Sequence, residues 1–173
     1  MNFVRDNLAI CGFADIGSRE SFEAFGFDAQ LQCTEPFDMW LHECVEVKAL
    51  AFSDGEPISR EIMRPAQEWL TKQWSSGKKI LISCAMGRSR SVTMASTFLC
   101  KNEGCDFVTT TLEVVDTVPN AYPHPYLLVS AAVYCGEMLS VENLTTIYSA
   151  VKNQPSYPWQ DDLIEQAVKY KYD

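Results

Sequence analysis

The run from Lys78 to Cys100 constrains this chain more than any other part of it. Ile80, Leu81 and Ile82 form a short apolar run bounded by Gly77, which reads as a buried strand. From Arg90 onward, Val92, Ala95, Phe98 and Leu99 recur at helical spacing. Only a short loop, Cys84 to Ser89, separates the two patterns. A buried strand feeding directly into a helix belongs in a sheet covered by helices, and its loop then lies at the carboxyl end of the strand, where open α/β sheets hold ligands. The loop N–H groups and the first helical turn have no hydrogen-bond partners of their own and carry the positive end of the helix dipole, so the site suits an anion. Gly87 allows a backbone conformation that a side chain would hinder.

The remaining pattern fits the same class. Leu8–Cys11 and Ala29–Cys33 read as strands, with a short helix over Ser18–Phe25 between them, and Cys44–Ala51 alternates like a strand. Ile58 to Trp74 has helical periodicity that Pro65 should break or restart. Helices are expected near Ser89–Asn102, Thr109–Thr117 and Tyr126–Leu139. Strands early and helices late predict an α/β fold, a central mixed sheet flanked by helices. Beyond residue 140, Leu144, Ile147, Tyr148 and Val151 suggest one helix and Asp161 to Tyr172 another, with Pro155 and Pro158 between them. Residues 1–140 are read as one unit and 141–173 as a helical extension packed on it.

Cys84 and Arg90 stand six positions apart at the two ends of the loop. The thiolate is the nucleophilic form of cysteine, and loop N–H groups, a helix N-terminus and a nearby arginine all favour it. An arginine grips two oxygens of a phosphate bidentately, which a lysine does less well. Ser91, next to Arg90, has a hydroxyl able to donate to the Cys84 sulfur when the thiolate leaves. The spacing alone is a weak signal; the strand before it and the helix after it give it weight.

The run Cys84-Ala85-Met86-Gly87-Arg88-Ser89-Arg90-Ser91-Val92-Thr93 resembles the phosphate loop of the protein tyrosine phosphatase superfamily, nearest to the small dual-specificity phosphatases. Leu8–Gly12, Phe22–Thr34 and Pro119–Pro123 resemble flanking parts of that family, so the likeness spans roughly residues 5–140. It implies a cysteine phosphatase fold and hydrolysis of phosphoprotein monoesters, phosphotyrosine and phosphoserine or phosphothreonine alike, through a cysteinyl-phosphate. Cys84 is then the nucleophile, Arg90 binds the phosphate, Ser91 assists the leaving thiolate, and Ala85, Met86, Gly87, Arg88, Ser89 and Arg90 form the phosphate cradle. A solvated side chain on the loop's outer face is the other reading of Arg88. The family's general acid lies some thirty residues upstream, which is the place of Asp54, in a loop marked by Gly55 and Pro57. Glu56 is the next candidate. The family has a histidine before the nucleophile where this chain has Ser83, and this departure implies a less acidified Cys84 with turnover slower or shifted to higher pH, the rate to be raised by Ser83→His. It also keeps open a phosphate-binding pseudophosphatase with little turnover. A phosphoinositide or RNA phosphatase is a further alternative, although the loop lacks the paired lysines of inositide-directed relatives.

Composition narrows the setting. Seven cysteines, an odd number without compact disulfide spacing, and a required free thiol suit a reducing, cytoplasmic environment. Cys11, Cys33, Cys44, Cys100, Cys105 and Cys135 are read mostly as small core residues, any one of which is a possible disulfide partner for Cys84. No run of 18 apolar residues predicts a membrane span, and the N-terminus lacks a secretory pattern. A net charge of −9 disfavours nucleic acid or an acidic membrane as partner. No zinc spacing or nucleotide-binding loop appears, and the cysteine route requires no metal or cofactor. His42 and His124 are read as structural. Oligomeric state is left open by the sequence.

Overall fold

Alternation along the strands sorts residues onto two unequal faces. The computed structural model describes residues 1–36, 43, 45–153, 159 and 161–170. It contains a sheet of five strands, β1 (Asn2–Arg5), β2 (Leu8–Gly12), β3 (Ala29–Gln32), β4 (Glu46–Ala49) and β5 (Ile80–Cys84), in the order β1-β2-β5-β3-β4. Only β1 is antiparallel to its neighbour; β2, β5, β3 and β4 run parallel. The central strand β5 pairs on both sides, Ile80 opposite Leu8 and opposite Ala29.

Leu8, Ile10, Leu31, Ile80, Ile82 and Cys84 project into the main core, while Ala9, Cys11 and Leu81 face a smaller cluster with Ile16, Phe22 and Phe27. Seven helices among the described residues complete the fold: α1 (Arg19–Ala24), α2 (Arg60–Ser75), α3 (Arg90–Glu103), α4 (Phe107–Thr117), α5 (Pro125–Cys135), α6 (Val141–Ser149) and α7 (Asp161–Lys169). The first is on the smaller side and the others build the main core. Helix α3 is buried from Ser91 through Cys100, so it is the hub on which α2, α4 and α5 pack. Leu144, Ile147, Val151, Ile164 and Ala167 of the extension are buried in the same main cluster.

The strands and helices expected from sequence are present with shifted ends. Pro65 does not break α2, which runs through it from Arg60 to Ser75. The missing N–H removes one hydrogen bond near the start of the helix, while burial of Met63, Ala66 and Leu70 holds its apolar face to the core. Helix α5 stops at Cys135 rather than Leu139 because Gly136 turns left-handed, with φ +89°. The short edge strand β1 is an addition to the strands that the sequence predicts. The start of the strand expected from Cys44, together with His42, Pro155, Pro158 and Tyr172, lies outside the described residues.

Candidate active site

The end of β5 delivers Cys84 into a loop whose shape is set by a backbone contact. Gly87 has φ +66°, and a Cβ built on it would lie 2.4 Å from the Gly12 nitrogen and 2.5 Å from the Cys11 carbonyl carbon. A Cβ on Gly12 would lie 2.7 Å from the Met86 carbonyl carbon. Two segments therefore meet backbone to backbone, and Phe13 N–H donates to Ala85 O at 3.1 Å alongside them. Glycine is needed at position 87 on both counts, conformation and space.

This packing holds the Gly87 N–H against the sulfur of Cys84. Cys84 is buried, Gly87 N–H donates to its Sγ at 3.2 Å, and Ser91 Oγ also lies 3.2 Å from Sγ. No described residue accepts a hydrogen bond from the N–H of Met86, Arg88 or Ser89. Met86 points outward, 69% exposed. Arg90 Nη1 donates to the carbonyls of Cys33 and Phe52, each at 3.2 Å, which anchors the guanidinium between β3 and the loop after β4. Its Nε is buried with no partner among the described residues, and its side chain borders an open depression of about 660 Å³ with Phe13, Thr34 and Phe52. Arg88 is half-buried rather than simply solvated: its Nε donates to Asn120 O at 2.9 Å and its own carbonyl accepts from Tyr122 N–H at 2.7 Å. This ties the loop to the Pro119–Asn120 turn.

The structure brings Asp54 to the same loop. Ser89 Oγ donates to Asp54 Oδ1 and accepts from His124 N–H at 3.0 Å. His124 caps α5, its Nδ1 accepting from Tyr126 N–H at 3.3 Å. Burial pulls its imidazole below the ordinary value, partly opposed by the Asp54 charge. It is thus a structural cap that also borders the site, a placement that no local signal at position 124 reveals. Trp159 of the extension packs edge-on against His124 and stacks on Tyr122, with centroids 4.6 and 5.1 Å away, and its backbone N–H donates to Tyr122 Oη at 2.7 Å. Glu56 borders a separate cavity with Arg60, Tyr126 and Tyr134.

Ser83 is fully buried on the face of the sheet opposite Cys84, where its Oγ accepts from Gln30 Nε2 at 2.9 Å. Gln32 reaches Gln30 in turn, so the space beside Ser83 is filled by amide side chains. Burial pushes the Cys33 thiol well above its usual range and the Cys11 thiol up to about 12. Among the described residues no group of three or more His, Cys, Asp or Glu side chains is placed to hold a metal, and no helix is long and apolar enough to cross a membrane.

No protein-family model and no curated protein matches the sequence. Solved structures do match. DUSP15 superposes with a TM-score of 0.70 at 13% identity, over 91% of this chain and 98% of that one. Human DUSP28 gives 0.69 at 17% identity, over 84% and 99%. The fold is that of the protein tyrosine phosphatases, in its dual-specificity-like form. Tk-PTP in its active form shares this phosphatase fold with a TM-score of 0.65 at 22% identity, over 78% of this chain and 94% of that one. In this phosphatase fold the Cys84 loop, Arg90 and Asp54 converge at the carboxyl end of the central strand.

Proposed function

We propose that this chain is a cysteine-dependent phosphatase that hydrolyses phosphate monoesters of phosphoprotein, taking both phosphotyrosine and phosphoserine or phosphothreonine. The observation that carries the reading is the arrangement around Cys84. A buried sulfur receives an N–H from Gly87 and has the Ser91 hydroxyl at 3.2 Å, in a loop whose Met86, Arg88 and Ser89 N–H groups, like the buried Nε of its closing residue Arg90, find no acceptor among the described residues. A buried donor without an acceptor costs about 1–3 kcal/mol, and an anion seated in the loop relieves that cost. Fixed donors of this kind stabilise charge that develops in a transition state without reorganising.

In the first step the Cys84 thiolate attacks phosphorus, the bond from phosphorus to the leaving oxygen breaks, and Asp54 as the acid gives that oxygen its proton. In the second, water attacks the cysteinyl-phosphate, Asp54 as the base takes the water's proton, and the thiolate leaves toward the Ser91 hydroxyl. Arg90 holds two equatorial oxygens throughout. The loop from Ala85 to Ser89 supplies the remaining phosphate contacts. The route uses no metal or cofactor. We place the catalytic unit in residues 1–140, with 141–173 packed on it, and take the setting as cytoplasmic, where thiols stay reduced.

One neighbour favours a second substrate class: PTPMT1, whose structure in complex with PI(5)P superposes with a TM-score of 0.64 at 15% identity. The test is turnover of a small aryl phosphate, then of phosphopeptides, phosphoinositides and RNA 5′-triphosphate, with Cys84→Ser as the blank. Aryl phosphate turnover lost in Cys84→Ser, with phosphopeptides the best substrates, is the expected result. Phosphate binding without turnover moves the chain to a pseudophosphatase, and preference for an inositide or RNA displaces the phosphoprotein reading.

A further inference from the structure

Ser89 sits at the N-cap of α3, where a serine hydroxyl ordinarily accepts from an N–H of the first turn. Here it makes no such bond; its backbone is at φ −127°, ψ −76°. The hydroxyl is spent elsewhere. Its lone pair accepts from the His124 N–H, a donor fixed by the start of α5, and this directs the hydroxyl proton to Asp54 Oδ1. Ser89 is 6% exposed and held by the loop, whereas Asp54 is exposed on the segment between β4 and α2. The bond from Ser89 is the one hydrogen bond to the Asp54 carboxylate among the described residues.

We propose that Ser89 is a positioning residue that fixes the carboxylate of Asp54 over the phosphate loop before substrate arrives, leaving the second oxygen, Oδ2, to carry the transferred proton. The same diversion leaves the first N–H groups of α3 uncapped and available to phosphate. A single hydroxyl thus places the acid and keeps the anion cradle open. The inference rests on the acid role proposed for Asp54.

The test is kcat/KM across aryl phosphates of graded leaving-group acidity, since this ratio reports the step in which the leaving oxygen is protonated. Ser89→Ala is expected to lose about 10- to 100-fold on phenyl phosphate, part of the span that general acid catalysis provides, and about 3-fold or less on a dinitrophenyl phosphate. Ser89→Thr, which keeps the hydroxyl, is expected to restore most of the loss. Asp54→Asn is expected to show the steeper dependence, and Ser89→Ala added to Asp54→Asn to cost little more. Uniform loss across leaving groups in Ser89→Ala, or full additivity with Asp54→Asn, overturns the positioning role alone. Absence of any leaving-group dependence in Asp54→Asn overturns the acid assignment, and this proposal with it. Should Ser89→Ala fail to fold, Ser89→Cys, a weaker donor, is expected to give an intermediate slope; an unchanged slope overturns the proposal.

Discussion

Replacing Gly87 by alanine should injure the fold and the site together, and the structure separates the two causes. At φ +66° an alanine adopts the left-handed conformation, at about 1–2 kcal/mol. Its Cβ would also lie 2.4 Å from the Gly12 nitrogen, roughly an ångström inside ordinary van der Waals contact. Relieving such an overlap in a packed region costs about 1–3 kcal/mol. The two contributions predict a loss of about 2–5 kcal/mol for Gly87→Ala. Gly77 has nearly the same φ, +71°, with no heavy atom within 4 Å of its added Cβ, so Gly77→Ala carries the conformational part alone. Gly12, at φ −91°, has no conformational objection to alanine, but its Cβ would meet the Met86 carbonyl carbon at 2.7 Å, so Gly12→Ala carries the steric part alone. Urea unfolding of the three variants gives the stability losses, and aryl phosphate turnover gives the effect on the site. Gly77→Ala should keep its turnover, and the other two should lose it as the Gly87 N–H shifts from the sulfur. The Gly12 and Gly87 losses should not add, because one contact is removed twice. A Gly87→Ala protein no less stable than Gly77→Ala would refute the argument.

Other expectations follow from the same geometry. Ser83→His, which the family resemblance implies should raise the rate, is instead expected to cost about 1–3 kcal/mol with no gain, since Gln30 and Gln32 fill the space; Gln30→Ala added to it should restore part of the urea midpoint. Because burial holds His124 below its ordinary value, the unfolded chain takes up its proton first as pH falls, so stability should decline from about pH 6.5 downward until the folded imidazole also titrates. His124→Gln should remove that share of the slope in urea midpoints measured between pH 7 and 5. Thiol alkylation followed by peptide mapping should label the exposed Cys105 in the native protein, and Cys11 and Cys33 only after unfolding.

The parts of the fold that could be read from sequence are those written in contiguous patterns. Ile80–Ile82 and the helical spacing after Arg90 predict strand, loop and helix without reference to the rest of the chain, and the structure has that unit at its centre. Asp54 is reached only through the family resemblance, and its hydrogen bond from Ser89 depends on two loops that only the sheet order brings together. The same is true of His124, whose backbone rather than imidazole meets Ser89, and of the Arg88 contact with Asn120. Backbone-mediated contacts leave no residue-type signature. Pro65 misled because a local rule against proline was outweighed by an apolar face that requires a long helix.

The order of elements along the chain also bears on its synthesis. The five strands among the described residues are complete by Cys84, yet α3 to α7, which cover much of the face bearing Leu8, Ile10, Ile80 and Ile82, are translated afterwards. The 85 residues from Ala85 to Lys169 take roughly 4–17 s to emerge at ordinary elongation rates. For that interval the apolar face of the mixed sheet has only α2 to cover it, and transiently exposed apolar surface of this kind is what chaperones shield from aggregation.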